Sequence, residues 1–200
     1  MIAAGLLAAF LLGSIPSGVL AVKWLGGIDP RKAGSGNIGF TNVRRVASRT
    51  AAGLTLAGDV GKGALAVWLM RQLGGAGMGL ELAAGLAAVM GHMFSPFVQF
   101  KGGKGVATAL GVLAVAAPWA GLITLAVWAV VLVSSSYVSL ASIVASAAMP
   151  VTLMLWTSDK VALASAIAMA GLVIARHRDN IQRLRAGTEP SVRASRSRQI

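Results

Sequence analysis

Apolar stretches with few or no charges recur along the chain, separated by shorter polar joints. They cover residues 2–24, 51–70, 80–97, 106–117, 119–133, 137–156 and 160–175. A helix that crosses the ~30 Å hydrocarbon core of a bilayer needs about 20 mostly apolar residues. Most of the stretches approach that length, so the pattern predicts an all-α, polytopic integral membrane protein. Two are short: as helices, 106–117 would reach only ~18 Å and 119–133 only ~22 Å. They are either two short spans or one helix kinked at Pro118.

Positive charge separates these alternatives, because Lys and Arg accumulate on the cytoplasmic side of membrane proteins. With seven spans and the N-terminus outside, the inward segments hold fifteen Lys/Arg and the outward ones two, Arg71 and Lys160, with Lys62 inside a span. Merging the short pair sends the C-terminal segment outside, and the ratio becomes nine to eight. The expected topology is therefore seven transmembrane helices, N-terminus outside and C-terminus inside. The first stretch has no basic flank ahead of its apolar run, its first cation being Lys23. It reads as a retained span rather than a secretory signal.

Composition sharpens this picture. The chain is 56% hydrophobic and 12% charged, with a mean hydropathy of +0.75, about half the charge of an average soluble domain. A net charge of +12 would point to nucleic acid in a soluble protein. Here the charges flank apolar stretches, where anionic headgroups account for them. Residues 186–200 are rich in Arg and Ser without apolar periodicity. The spans thus define a domain over 1–185, followed by a disordered basic cytoplasmic tail. No aromatic residue interleaves the tail arginines, which argues against a nucleic-acid partner. The chain has no cysteine, so disulfides, thiolate metal sites and a thioester nucleophile are excluded.

The topology gathers the chemistry on one side. GSGNIGFTNVRR (34–45), FKGGKGVAT (100–108), SYVSLAS (136–142) and RHRDN (176–180) all fall on the cytoplasmic face. In the first, Ser35, Asn37, Thr41 and Asn42 supply hydroxyl and amide groups. Its glycines permit bends that aim N–H groups at an anion, and Arg45 can fork onto two phosphate oxygens. In the second, Gly102 and Gly103 precede Lys104, and a span begins just after Gly105. That places a cation and free N–H groups at a helix N-terminus, where an anion is favoured. In the fourth, the i, i+3 spacing of His177 and Asn180 puts both on one helical face, suited to a polyol or a phosphate. The clusters together predict an anion site.

Other readings of these residues fail on context. GSGNIG followed by Asp59 has the spacing of a dinucleotide fingerprint, yet no strand precedes it and Asp59 lies inside a span. FKGGKG has Gly105 where a P-loop requires Ser or Thr. Asp59 and Lys62 read as a structural ion pair steadying the first loop, and His92 as a packed, hydrogen-bonded histidine. His92 is followed by Pro96 and Phe97, and His177 leads into Asp179, so no His-x-x-x-x-Asp dyad occurs. There is no zinc-protease or serine-hydrolase motif either, and no metal or cofactor is implied.

Taken in order, GSIPSG (13–18), AGSGNIGFTNVRR (33–45), GHMFSPFVQFKGGKGVATALG (91–111), YVSLASI (137–143) and RHRDNIQRL (176–184) resemble the segments of the bacterial membrane acyl-phosphate:glycerol-3-phosphate acyltransferases, the PlsY family. That family's first loop commonly reads GSGNPGATN; here Ile38 and Phe40 replace its proline and alanine. The resemblance implies a multi-pass protein of the bacterial inner membrane with its active site on the cytoplasmic face. The implied reaction moves a fatty acyl group from acyl phosphate to the 1-hydroxyl of glycerol 3-phosphate, giving lysophosphatidic acid and phosphate without a cofactor. Carried over by motif, the functional residues are Ser35, Asn37, Thr41 and Arg45, then Gly102, Gly103 and Lys104, then Ser142, then His177 and Asn180, with Asn42 adjoining the first group.

On that basis Lys104 and Arg45 neutralise the two phosphates, and His177 and Asn180 orient the glycerol. A Gly103 N–H or the Ser142 hydroxyl stabilises the oxyanion, and the base is either His177 or a substrate phosphate oxygen. Rival readings are an acyltransferase using acyl-CoA or acyl carrier protein, and a transporter for an organic phosphate. A transporter would be expected to carry paired inverted repeats, and the sequence contains none.

Overall fold

A computed structural model describes residues 1–74 and 77–193, and every regular element among them is helical. The first apolar stretch forms two helices, α1 (Ile2–Ser14) and α2 (Ser17–Leu25). Pro16 lacks the N–H that would continue the ladder, so the run breaks there. A short α3 (Phe40–Val46) precedes α4 (Arg49–Gln72), which Ser48 caps by accepting the Ala51 N–H at 3.0 Å. Then follow α5 (Met78–Met93), a 3-10 turn (Pro96–Val98), α6 (Val106–Ala116), α7 (Pro118–Ser135), α8 (Val138–Met154), α9 (Lys160–Arg176) and α10 (Arg178–Arg185).

By length and apolarity, Ile2–Leu25, Met78–Val98 and Pro118–Ser135 are each long enough to cross a bilayer, while α9 and α10, bent by 57° at their joint, reach that length only when taken together. Helices α6 and α8 are apolar but shorter. Helix α4 is ~36 Å long and carries Asp59 and Lys62 within it. The two short stretches form separate helices rather than one kinked rod. Ala117 leaves helical geometry (φ −150°, ψ 70°), and Pro118 opens α7, where its missing N–H is harmless. The chain then folds back so far that a Cβ at Gly121 would lie 3.1 Å from that of Leu113. Residues eight apart in one straight helix would be separated by ~12 Å.

Helix α5 stands at the centre, packed on α1, α4, α6 and α9, while α7 packs on α8. Between lipid-solvated helices, association depends on close backbone approach rather than on hydrophobic drive. Glycines provide it here. Gly13 meets the Ala88 carbonyl and Gly91 the Phe10 carbonyl where α1 crosses α5. Gly63 meets the Thr108 carbonyl and Gly111 the Val60 carbonyl where α4 crosses α6. Around these crossings Val67, Leu82, Val89, Met93, Leu113 and Met169 form the core. Helix α7 turns Leu122, Val130 and Val133 outward, as a lipid-facing helix does.

At one end of the bundle the polar joints meet around a common cavity. Residues 186–193 continue from α10 across that end, and the Val192 N–H donates to the Ser136 carbonyl at 2.9 Å. The rest of the stretch expected as a tail, residues 194–200, lies outside the described residues.

Because Gly111 abuts backbone, Gly111→Ala is expected to cost about 1–3 kcal/mol by overpacking and to lower the thermal unfolding midpoint in detergent. Gly171→Ala, where an added Cβ meets open space inside α9, should not lower it and gains helix propensity instead.

Candidate active site

The cavity holds about 460 Å³ and changes character along its length. Its mouth is lined by Ser35, Thr41, Arg45, Lys104, His177 and Asn180. Its inner limb, between α6, α7 and α8, is lined by Leu110, Leu113, Leu125, Trp128 and Met149. Asn37, Asn42 and Ser142 also reach it. Gly102 and Gly103 do not line it, and lie buried beneath Lys104.

Asn42 builds the first loop instead of facing a ligand. Its Oδ1 accepts the Ser35 N–H at 2.8 Å, and its Nδ2 donates to the carbonyls of Pro30, Ala33 and Asn37 at 2.9, 3.1 and 2.9 Å. An amide so fully engaged has no donor left for substrate. Asn37 accepts the Gly39 N–H at 2.8 Å, a local turn that leads into α3. The loop thus holds Ser35, Thr41 and Arg45 at the rim.

The second loop is fixed from both sides. The Gly102 and Gly103 N–H groups, expected to face an anion, donate to the carbonyls of Met93 and His92 at 3.1 Å each. Those carbonyls close α5 and would otherwise lack partners. The Arg176 guanidinium donates to the Gly102 and Gly103 carbonyls at 2.7 and 3.2 Å and lies 5.8 Å from the centre of the Phe94 ring. The free N–H groups come one turn later. Gly105 (φ 80°) precedes α6, whose first N–H groups have no intrahelical partner. Val106 and Ala107 carry two of them at the cavity wall.

Lys104 heads a polar chain. Its Nζ donates to Asn180 Oδ1, and Asn180 Nδ2 donates to Glu189 Oε1 at 2.6 Å. Glu189 also accepts from Ser139 Oγ and Arg183 Nε, each at 2.7 Å. Burial pushes the Lys104 ammonium down to about 8, with Arg183 and Arg45 adding to the fall and Glu189 and Asp179 opposing it. Burial raises the Glu189 carboxyl, but hydrogen bonds from Ser139, Asn180 and Arg183 outweigh it and hold the group below its usual range. His177, just beyond the end of α9, is pushed down to about 4, first by burial and then by the Lys104 charge. Its Nδ1 lies 2.7 Å from the Val173 carbonyl. A carbonyl only accepts, so Nδ1 carries the proton and Nε2 keeps its lone pair.

At the boundary between mouth and limb, Ser142 Oγ donates to the Val138 carbonyl at 2.8 Å and accepts the Trp128 indole N–H at 3.2 Å. Its proton, expected to face an oxyanion, is therefore turned into α8. Trp128, Arg176, Arg183 and Glu189 were not singled out from sequence. Glu189 had a signal, being the sole acid among residues 186–200.

An all-helical bundle with bilayer-length apolar helices, and a cavity that is cationic at its mouth and apolar in its limb, defines an integral membrane protein. The chain belongs to the glycerol-3-phosphate acyltransferase family, whose sequence profile matches residues 3–187. It is 46% identical to the glycerol-3-phosphate acyltransferase of Aromatoleum aromaticum, covering 96% of this chain and 97% of that one. It is also 46% identical to that of Geotalea daltonii, covering 92% and 94%. Its fold matches the crystal structure of PlsY, an integral membrane glycerol 3-phosphate acyltransferase, in its glycerol 3-phosphate form, with a TM-score of 0.89 and 38% identity over 95% of this chain and 94% of that one. The lysophosphatidic acid form of PlsY matches with a TM-score of 0.87 at the same identity and coverage.

Since its pKa is lowered in the fold, the Glu189 clamp is complete above the ordinary carboxylate range and is lost as pH falls through the lowered value. Glu189→Ala should weaken the clamp by about 1.5–3 kcal/mol for each hydrogen bond to the charge. Hydrogen–deuterium exchange would then show faster exchange over residues 186–192, with α5 and α9 unchanged.

Proposed function

We propose that this chain transfers a fatty acyl group from acyl phosphate to the 1-hydroxyl of glycerol 3-phosphate, releasing lysophosphatidic acid and phosphate. It does so as a seven-span protein of the bacterial inner membrane, with the N-terminus outside and the cavity mouth on the cytoplasmic face. The observation that carries the reading is the change in the cavity from Lys104 and Arg45 at the mouth to Trp128 and Met149 in the limb. Phosphates suit the first part and an acyl chain the second. Relatives named for glycerol-3-phosphate acyl transfer, and a similar structure in a lysophosphatidic acid form, support it.

In this reading Lys104, Arg45 and the first N–H groups of α6 hold substrate phosphate, with Ser35 and Thr41 at the rim. Asn180 and the His177 Nε2 lone pair orient the glycerol hydroxyls. The acyl chain lies along Leu110, Leu113 and Trp128, which brings its carbonyl to the polar boundary. The glycerol 1-hydroxyl oxygen then attacks the carbonyl carbon. A carbon–oxygen bond to glycerol forms and the one to phosphate breaks. The hydroxyl proton passes to a phosphate oxygen, because an imidazole held near 4 is a weak base at neutral pH. With phosphate as the leaving group, positioning and fixed charge supply most of the acceleration.

Purified protein given labelled glycerol 3-phosphate should form lysophosphatidic acid from acyl phosphate. Product from acyl-CoA or acyl carrier protein, with none from acyl phosphate, would overturn the donor assignment. Lys104→Met should lower kcat/KM by about 10²- to 10³-fold. In the unaltered protein kcat/KM should fall as pH rises through about 8, where Lys104 loses its charge. The residual activity of Lys104→Arg should lack that limb, since a guanidinium stays protonated.

A further inference from the structure

Asp59, Lys62 and His92 form a polar cluster inside the bundle, with exposures of 2%, 5% and 4%. Asp59 Oδ1 lies 2.8 Å from Lys62 Nζ and 3.4 Å from His92 Nδ1. Lys62 Nζ also donates to the Ile15 carbonyl at 2.9 Å, at the break between α1 and α2. Charge at this depth is expensive and marks function more often than packing. Joining α4 to the α1–α2 break needs only Asp59 and Lys62, so the pair leaves His92 unexplained.

His92 faces the loop that carries Lys104. Its backbone carbonyl accepts the Gly103 N–H at 3.1 Å. Its ring lies so close that a Cβ at Gly103 would overlap Nε2, and the nearest atoms to that Cβ all belong to His92. The ring is therefore the wall against which Gly103 rests. Its Nδ1 has no conventional hydrogen bond, and the Asp59 carboxylate 3.4 Å away acts on the ring through its charge, favouring the orientation that turns Nδ1 towards it. Arg176 holds the same two glycines from their carbonyl side.

We infer that Asp59 and His92 are positioning residues for substrate phosphate: Asp59 orients the His92 ring, and the ring sets the placement of Gly103, and with it Lys104 and the start of α6. The inference rests on the reading that Lys104 and the start of α6 bind the phosphate of glycerol 3-phosphate. Both residues also line the cavity; the role assigned to them is placement, because the ring nitrogen nearest the loop abuts Gly103.

The test uses full-length protein and begins with calorimetric binding of glycerol 3-phosphate, which needs no acyl donor. Failure of the unaltered protein to bind it, or to use acyl phosphate, would sink the proposed function itself. Given binding, His92→Phe and Asp59→Asn should raise the Kd and KM for glycerol 3-phosphate by about tenfold or more, with kcat changed by less than about threefold. Gly103→Ala should show the same defect. Removing the ring should relieve it, so that His92→Ala/Gly103→Ala binds about tenfold more tightly than Gly103→Ala alone. The inference is overturned if His92→Phe and Asp59→Asn shift only the thermal midpoint. It is equally overturned if Gly103→Ala is as defective without the ring as with it. The glycine pair carries the test should Asp59→Asn fail to fold.

Discussion

A cation can hold a phosphate at the end of an apolar bundle only if it is fixed there and not already neutralised. Lys104 meets both conditions through its contact with Asn180. The amide oxygen accepts its hydrogen bond without cancelling its charge, whereas a carboxylate in the same place would have closed the site. The carboxylate is one step further out, at Glu189, joined through the Asn180 amide at 2.6 Å. This spacing keeps the ammonium available while lowering the cost of its burial. Much of the mouth follows from that one contact. It ties the start of α6 to the α9–α10 joint, and through Glu189 to Ser139 at the start of α8.

The same groups that end helices also shape the site. Helix α5 must find donors for its last carbonyls, and the Gly102 and Gly103 N–H groups supply them. The loop is thereby drawn inward, and α6 begins only at Val106. Its shortness is thus set at one end by the loop and at the other by the break at Ala117 and Pro118. The first N–H groups of α6 stand beside Lys104, so that in the proposed reaction helix dipole and ammonium act on the same anion. The loop that caps α5 thus also sets where Lys104 and the start of α6 lie.

This division explains what could be read from the sequence. The apolar stretches located the helices, because bilayer-length apolar runs have few other uses. The break at Pro16 falls inside the stretch read as one span, since a proline does not reveal whether a helix bends or stops. Residue type and spacing also placed Lys104, His177 and Asn180 on one face. They did not reveal where donors point. Asn42 has the chemistry of a ligand, yet its amide is spent on Pro30, Ala33 and Asn37. Ser142 likewise turns its proton to Val138. Glu189 is 50 residues from Ser139 in the chain, and only the turn of the chain after α10 makes them partners.

The boundary at Trp128 and Ser142 bears on how little acid–base chemistry the site needs. With the Ser142 proton engaged and His177 neutral, neither side chain offers a ready base near neutral pH. What changes along the cavity is solvation, from a mouth rich in fixed donors to a limb of leucine, tryptophan and methionine. In the proposed reaction, an acyl phosphate lying across that boundary has its anionic group held by the Lys104 and Arg45 charges and its chain in an apolar environment. Its carbonyl then falls where both environments end. Preorganised charge acts there without reorganising during the reaction, so accurate placement of Lys104 matters more than the basicity of any side chain.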